Sequence, residues 1–465
     1  MNAPTIWIIL PLVLASLALI PRREQMVTIV GGTVALTLAG IALLMPIDLA
    51  LRIGPLSLKI ASSIKVFGRN LFLGPTDKPF LVIIYGLAAL WFFGAAEAGV
   101  GRRMIPLGLA ITALLVASIA VEPFLYAALL IEMAVLIAIP LLSPPHTRPG
   151  RGVVRFLIYQ SLAMPFILSA GWLLSGVEVS PGDWALAVQS AAMLGLGFAF
   201  LLAIFPLYSW IPLLAEESSP YTVGFILWVL PTITILFGIG FLDRYTWLRT
   251  YPLLPGTFQF TGLLMLVTGG LWSAFQRHLG RMMGYAAVVE TGFSLLALSL
   301  EPKTGTVIVF MLIIPRALGL AIWALALSIL KMHAVSLHFN AVKGLARTYP
   351  IITSGLILAQ LSIAGFPLLA GFPSRLVLWE GIARQSLPAA LWYLLGILGM
   401  LIGVTRTLAV FVMAPEHTPW EWQENTAVRI LIGIGIVLLF ILGLFPQVIQ
   451  PFWTNMPAML EHLGH

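Results

Sequence analysis

The sequence predicts an all-α polytopic membrane protein with about fourteen transmembrane helices. Of the 465 residues, 60% are hydrophobic and only 9% are charged, a balance that cannot provide a soluble domain with a solvated surface. Apolar runs of roughly 20 residues, long enough to cross a bilayer, follow one another with short polar joints. A soluble domain of useful size does not fit between them. We therefore expect a single membrane domain over residues 1–465.

The apolar runs give the expected spans in chain order. The first run lacks a basic leading segment and a small-residue cleavage pattern, so we expect it to remain as a span. Between the second and third runs, residues 47–78 are mixed in polarity and predict a short hairpin on the outer surface. The expected spans are residues 4–21, 27–46, 79–97, 104–121, 123–143, 154–176, 186–212, 220–242, 257–275, 279–299, 304–330, 350–386 (broken), 388–413 and 427–447.

The basic residues in the joints predict the orientation. An even number of spans places both termini on one side of the membrane. If that side is the outside, thirteen cations fall in cytoplasmic joints and four in outer joints, leaving aside the long 47–78 loop. The positive-inside rule therefore favours both termini outside. The thirteen are Arg22, Arg23, Arg102, Arg103, Arg148, Arg151, Arg155, Arg277, Arg281, Lys331, Lys343, Arg347 and Arg429.

Composition also excludes several classes of function. The sequence has no cysteine, which rules out disulfides, Cys-ligated iron-sulfur clusters and thiolate metal sites. It has no Walker loop and no dinucleotide-binding glycine fingerprint in a strand-helix context. The net charge of +7 is explained by orientation in the membrane, so no nucleic-acid partner is expected. We expect neither a catalytic residue, a metal nor a cofactor in this chain.

A helix interrupted by two Gly-Phe-Pro triplets is the most specific local feature. Gly365-Phe366-Pro367 and Gly371-Phe372-Pro373 separate apolar runs, and Arg375 follows the second triplet. Proline removes a backbone donor and disfavours a helical residue before it. Unwound backbone at membrane depth is tolerated only where protein or water surrounds it, the usual setting of an ion path. We expect a broken helix near 361–376.

A second interruption is expected near 205–223, where Pro206, Pro212 and Pro220 punctuate another apolar stretch. Paired interruptions, one in each half of a chain, are typical of inverted-repeat transporters whose discontinuous helices meet at the substrate path. The alternative is that proline simply ends a helix at a loop, which fits Pro206 and Pro212.

A few charged residues fall inside the apolar spans. A lone carboxylate such as Glu132 at mid-span costs roughly 2.5–3.5 kcal/mol on insertion scales, so it should be protonated, paired or facing water. Glu290 and Arg316 lie 12 and 14 residues from the joint near residue 302, which places them at similar depth on antiparallel neighbours. We expect them to face each other or to share a polar cavity; a static pair that fastens two helices is the alternative. Glu380 and Arg406 lie nearer span ends, where snorkelling explains them.

Several of these stretches together resemble a known family. They are YAALLIEMAVL around Glu132, VRFLIYQSLAMPFILSAG from Val154, FPLYSWIP from Phe205, GRMMGYAAVVETGFSLLAL from Gly280, and GLARTYPIITSGLILAQLSIAGFPLLAGFPSR from Gly344. From about residue 80 to 413 the chain is similar to the antiporter-like membrane subunits of respiratory complex I, shared with Mrp-type cation/proton antiporters and membrane-bound hydrogenases.

The resemblance implies two inverted five-helix repeats, each with a broken helix, and a polar axis at mid-membrane depth that relays protons. On this basis the chain divides into N-terminal helices with an outer loop (1–121), a first repeat (122–242), a second repeat (257–413) and a C-terminal helix and tail (414–465). Glu132 matches the family's glutamate of the fifth helix. Arg316 falls where many members have a lysine of the central axis, and Arg375 where they have the lysine after the second break.

Other positions depart from the family pattern. Leu201 stands where the seventh-helix lysine is expected, apolar residues near Ile226 and Leu230 replace the eighth-helix His or Lys, and Glu290 replaces a neutral Gln. Because arginine stays protonated in proteins, the two arginines of the axis can act as fixed charges but not as relay stations. We therefore expect a diverged member whose first half-channel is weakened or closed. All seven His lie in joints or at the C-terminus, so a midplane His relay is not expected.

The resemblance implies a non-redox membrane subunit of a complex I-like NADH:quinone oxidoreductase or a related assembly, contributing to proton translocation coupled to electron transfer elsewhere. Two alternatives remain: an Mrp-type cation/proton antiporter subunit, and a structural scaffold with a degenerate proton channel. The implied partners are other membrane subunits, protons or monovalent cations, and the lipid bilayer. The implied location is a prokaryotic cytoplasmic membrane.

Overall fold

Helices make up most of this computed structural model, which describes residues 2–20, 23–53, 56–143, 148–179, 184–413 and 421–459. Arg22, one of the cations used to predict orientation, lies outside these ranges. A π-helical turn, Thr5–Ile9, precedes the first α-helix. The α-helices of the described residues are α1 Leu10–Leu17, α2 Glu24–Leu44, α3 Lys78–Gly94, α4 Gly101–Ala120, α5 Ala127–Leu142, α6 Arg151–Val179, α7 Trp184–Leu201, α8 Trp210–Glu217, α9 Pro220–Arg244, α10 Thr246–Arg249, α11 Leu253–Phe275, α12 Leu279–Leu298, α13 Pro302–His333, α14 Pro350–Ile363, α15 Gly371–Gln385, α16 Leu387–Val412, α17 Thr426–Leu444 and α18 Gln450–Asn455.

The helical membrane architecture is confirmed. Among the described residues, 11 helices are long and apolar enough to cross a membrane, and Thr5–Leu17 and Pro350–Ile363 are shorter apolar helices. The expected count of fourteen spans is not confirmed. The difference arises partly where a span is divided, because each half of a broken helix is too short to cross alone.

The segment between α2 and α3 forms two β-hairpins where the sequence predicted one. Strands β1 Ala50–Ile53 and β2 Leu56–Lys59 pair antiparallel, as do β3 Ser63–Val66 and β4 Arg69–Phe72. A fifth strand, β5 Val121–Glu122, extends the second hairpin just before α5. Asn70 Nδ2 donates to Glu122 Oε2 at 2.6 Å, so the loop is fastened to the end of α4.

Carboxylates from other parts of the chain accept hydrogen bonds at the starts of several helices. Glu24 accepts from the N–H of Gly101 at 2.6 Å, and Glu217 from the N–H of Gly152 at 2.7 Å. Glu424 accepts from two N–H groups in the first turn of α14, at 2.7 and 2.8 Å. The first four N–H groups of a helix have no partner within it, and a negative charge there is favoured by the helix dipole. Helices α4, α6 and α14 are thus fixed by neighbours.

Helix α11 packs against α12 and α16 with backbones in close contact. A Cβ added to Gly270 would lie 2.1 Å from the carbonyl oxygen of Gly396, and one added to Gly292 would lie 2.9 Å from that of Gly262. Small residues allow helices in a membrane to approach closely, so no larger side chain fits at these points. We call Gly262, Gly270, Gly292 and Gly396 the glycine seam.

Both predicted helix interruptions are present, but the first lies at residues 202–206, at the edge of the predicted range 205–223, whereas the second lies inside 361–376. Helix α7 ends at Leu201 and the chain resumes a helical course at Leu207, while α14 ends at Ile363 and α15 begins at Gly371. Each interruption contains a non-glycine residue in the left-handed region, Ala203 with φ 50° and Leu368 with φ 71°. Such residues cost roughly 1–2 kcal/mol each and often mark functional sites.

The residues expected to cause the breaks fall into two groups. Pro206, Gly365 and Pro367 lie in the interruptions, and Gly365 has φ 78°, a conformation that favours glycine. The other four mark helix starts instead, which corrects the prediction: the first turn needs no intrahelical N–H partner, so proline is tolerated there. They are Pro212 in α8, Pro220 in α9, and Gly371 and Pro373 in α15.

Candidate functional site

A buried ion pair joins the middle of α12 to the start of α15. Arg375 Nη2 donates to Glu290 Oε1, and the two side chains are 3% and 0% exposed. Glu290 lies in the middle of α12, and Arg375 comes one turn after the break between α14 and α15. Burying a single charge at this depth is unfavourable in free energy, so the Glu290 carboxylate and the Arg375 guanidinium each need the opposite charge of the other.

The broken helix positions Arg375. Its Nε donates to the carbonyl of Ile363 at 3.0 Å, and its Nη1 donates to Gly371 O and Ser374 Oγ, both at 3.2 Å. Ile363 is the last residue of α14, whose carbonyl has no partner within the helix. The guanidinium also lies 4.8 Å from the centre of the Phe293 ring. Arg375 therefore connects both halves of the broken helix to α12.

A proline in α9 helps to position Arg316. Pro231 lies inside α9 and has no N–H to donate to the carbonyl four residues earlier, that of Leu227. Arg316 Nη2 donates to this carbonyl at 3.1 Å and to Thr291 Oγ1 at 3.2 Å. The free carbonyl thus becomes the acceptor for a buried cation.

Glu290 and Arg316, which were predicted to face each other or to share a polar cavity, are connected only indirectly. Arg316 is hydrogen-bonded to the residue next to Glu290, and no hydrogen bond joins the two side chains in the described structure. Arg316 is 2% exposed and lies within Coulombic range of both Glu290 and Arg375. Glu290 Oε2 and Arg316 Nε are buried without a hydrogen-bond partner among the described residues. The direct partner of Glu290 comes from α15, a helix that the depth argument did not include.

A small cavity separates this cluster from the first half of the chain. Its volume is about 10 Å³, enough for about one water molecule. Gln160 and Leu201 line one part, and Leu227, Thr291 and Arg316 line another. Gln160 Nε2 donates at 3.1 Å to the carbonyl of Leu201, the last residue of α7. The last carbonyl of α7, at the first break, therefore accepts a hydrogen bond from a neutral amide. The last carbonyl of α14, at the second break, accepts one from Arg375.

Glu132 stands apart from the other three predicted residues. It is half-buried, and its Oε1 accepts from Ser161 Oγ at 2.5 Å. Its Oε2 is buried without a hydrogen-bond partner, and none of the ion pairs of the described residues includes it. Leu201 is buried and apolar. The structure therefore brings together Glu290, Arg316 and Arg375, but not Glu132.

Sequence reasoning missed several neutral polar residues near these charges. Tyr393 donates to the backbone carbonyl of Arg375 at 3.1 Å. Gln360 in α14 is fully buried, and neither amide atom has a hydrogen-bond partner within the described ranges. Together with Gln160, these residues are recognisable in the sequence as uncharged polar side chains inside apolar spans. Glu380, expected at a span end, forms an exposed pair with Arg384 at 2.6 Å.

Comparisons with known proteins agree with this architecture. A family model described as "NADH:quinone oxidoreductase/Mrp antiporter, TM" matches residues 172–403. NADH-quinone oxidoreductase subunit 14 of Thermus thermophilus is 26% identical over 447 residues, which cover 90% of this chain and 96% of that one. Subunit N of Dehalococcoides mccartyi is 24% identical over 322 residues, 63% of each chain. A chain in the structure of the Mrp complex from Dietzia sp. matches the fold with a TM-score of 0.79 at 16% identity, covering 100% of this chain and 99% of that one.

Proposed function

This chain belongs to the NADH:quinone oxidoreductase/Mrp antiporter membrane family, and on that premise we propose that it is a non-redox membrane subunit of a complex I-like assembly. In such an assembly it contributes to proton translocation driven by electron transfer in other subunits. Its partners are other membrane subunits and protons or monovalent cations.

The buried pair of Glu290 and Arg375 at the helix break is the observation that supports this function most strongly. Arginine remains protonated in proteins, so Glu290 is the member of the Glu290, Arg316 and Arg375 cluster that can exchange a proton. Two fixed cations and one carboxylate carry a net charge of +1 when Glu290 is ionised and +2 when it is protonated. Each proton that reaches Glu290 therefore weakens its attraction to Arg375 and changes the field along the axis. In this role the arginines bias the path and Glu290 carries the proton.

The first half-channel is weakened in this proposal. The hydrogen-bond partner of Glu132 is a serine hydroxyl and not a cation, so Glu132 is in no ion pair of the described residues. Leu201 has no side-chain donor that could replace it. The cavity beside Gln160 holds about one water molecule, too little for a continuous chain of water across this region. Proton transfer is therefore assigned to the second half of the chain.

The same proposal includes the orientation and the division of the chain. Both termini lie on the outer side of a prokaryotic cytoplasmic membrane, supported by the basic residues of the joints. The two repeats span 122–242 and 257–413, flanked by N-terminal helices with an outer loop in 1–121 and by a C-terminal helix in 414–465. Each repeat then contains one of the two interruptions.

The decisive experiment replaces Glu290 in the assembled complex. We expect Glu290→Gln to lower the number of protons taken up per electron in inverted vesicles, measured with a pH-sensitive dye beside the rate of electron transfer. Glu132→Gln should have a much smaller effect. Glu380→Gln, which changes an exposed pair, is the matched control. Unchanged proton uptake by Glu290→Gln at normal assembly would refute translocation through this chain and leave the scaffold alternative. Uptake that requires a sodium gradient would point to the antiporter alternative.

A further inference from the structure

Two histidines and a glutamate meet at the end of α8, away from the polar axis. They are Glu216 in the last turn of α8, His278 immediately before α12, and His338 in the segment after α13. One possible ligand atom from each lies within 4.8 Å of the others. Three segments that are distant in the sequence therefore bring metal-binding groups to one point.

The backbone holds the two histidines opposite each other. His278 and His338 form an antiparallel bridge, flanked by hydrogen bonds from Leu279 N to Leu337 O at 3.0 Å and from Phe339 N to Arg277 O at 2.9 Å. In this kind of pair the flanking residues make the hydrogen bonds, and the opposed side chains approach most closely. The ring centres are 4.8 Å apart. The relative position of the rings is thus set by the main chain.

Neither imidazole ring makes a short hydrogen bond with the described residues. His278 Nδ1 accepts only a long hydrogen bond of 3.3 Å from the N–H of Arg281. His338 is exposed and free to adjust its ring. Both imidazoles can therefore present a ring nitrogen to a metal ion without losing a strong hydrogen bond.

One cation already contacts the cluster. Arg281 Nε donates to Glu216 Oε2 at 2.6 Å, while Oε1 has no hydrogen bond in the part of the chain that the structure describes. The Arg281 side chain is 42% exposed, so it can move into solvent when a second cation binds. Its presence is expected to reduce the affinity without closing the site.

We propose that Glu216, His278 and His338 bind one divalent transition-metal cation of the zinc type. Two imidazole nitrogens and one carboxylate oxygen form a known zinc ligand set, with the fourth position left to water. Imidazole and carboxylate together favour zinc and its neighbours over magnesium or calcium, which prefer oxygen ligands. Bound metal would tie α8, the second half of the first broken helix, to the start of α12.

The test uses zinc binding to the purified full-length protein in detergent, measured by competition with a chromophoric chelator. His338→Gln changes an exposed side chain, so folding should be preserved, which an unchanged melting temperature without metal would verify. We expect it and Glu216→Gln each to weaken binding by at least about tenfold. His333→Gln is the matched control, because His333 stacks on Tyr349 at 5.0 Å and lies outside the cluster.

A second readout reports on the ligands directly. Cobalt(II) added to the wild-type protein should give the intense visible absorption of a four-coordinate site, and His338→Gln should lose it. Zinc affinity unchanged in His338→Gln, or only weak octahedral cobalt absorption in the wild type, would overturn the proposal.

Discussion

Removing Arg375 should destabilise the protein strongly because it leaves a carboxylate and a carbonyl buried without their donor. In Arg375→Met the side chain keeps its length, but Glu290 loses its ion pair and Ile363 loses the donor to its carbonyl. Breaking a buried pair on one side typically costs about 3–5 kcal/mol. An orphaned carbonyl adds about 1–3 kcal/mol, although proton uptake by Glu290 limits the total. We expect a loss of about 4 kcal/mol in the free energy of unfolding.

The double variant Glu290→Gln/Arg375→Met allows the interaction energy of the ion pair to be distinguished from the other contacts of Arg375. It removes both members of the ion pair and leaves Arg316 as the one buried charge of the cluster, so it should be less destabilised than the sum of the two single losses, with a coupling energy of about 1–3 kcal/mol. Reversible unfolding in mixed micelles, followed by tryptophan fluorescence, measures each corner of the cycle. Arg384→Met, on the exposed pair with Glu380, is the control and should cost less than about 1 kcal/mol. A double variant whose loss equals the sum of the single losses would refute the reasoning.

Three further predictions concern the surroundings of the site. A Cβ at Gly371 would lie 1.9 Å from a backbone carbonyl oxygen of α14, so Gly371→Ala should lower the melting temperature, whereas Gly433→Ala, with nothing within 4 Å, should leave it unchanged. Glu24→Gln removes a charged cap from the N–H of Gly101 and should cost about 0.5–2 kcal/mol in the free energy of unfolding, measured by denaturant titration. Burial holds the pKa of His278 at about 4, so its NMR signals should not titrate between pH 8 and 5; a midpoint near 6.5 would contradict this. The unfolded chain binds that proton near pH 6.5, so this group lowers stability as the pH falls from about 6.5 towards 4.

The fold class and the second helix break could be predicted from the sequence because both depend on local properties. A bilayer requires long apolar runs, and two Gly-Phe-Pro triplets cannot continue a helix. The exact ends of the breaks could not be predicted. Proline is compatible with a first helical turn, so Pro212 and Pro373 look in the sequence like breaks but lie inside helices.

The contacts of the site were harder to predict because they depend on which helices are neighbours. Helical rise gives the depth of Glu290 and Arg316 but not the approach of Arg375 from α15. Pro231 shows in the sequence that the carbonyl of Leu227 has no partner within its helix. That Arg316 on α13 donates to this carbonyl depends on helix packing, which the sequence does not show. The partner of Glu132 is a serine hydroxyl on α6, and a single serine in an apolar span gives no signal of its own.

The glycine seam limits how the second half of the chain can rearrange. Where backbones touch directly, no side chain lies between the helices that could change rotamer, so we expect α11, α12 and α16 to keep their relative positions. Glu290 lies on α12, whereas Arg375 follows the short interruption at residues 364–370. When Glu290 takes up a proton and its pair with Arg375 weakens, we therefore expect α15 to move at this interruption while α12 stays in place.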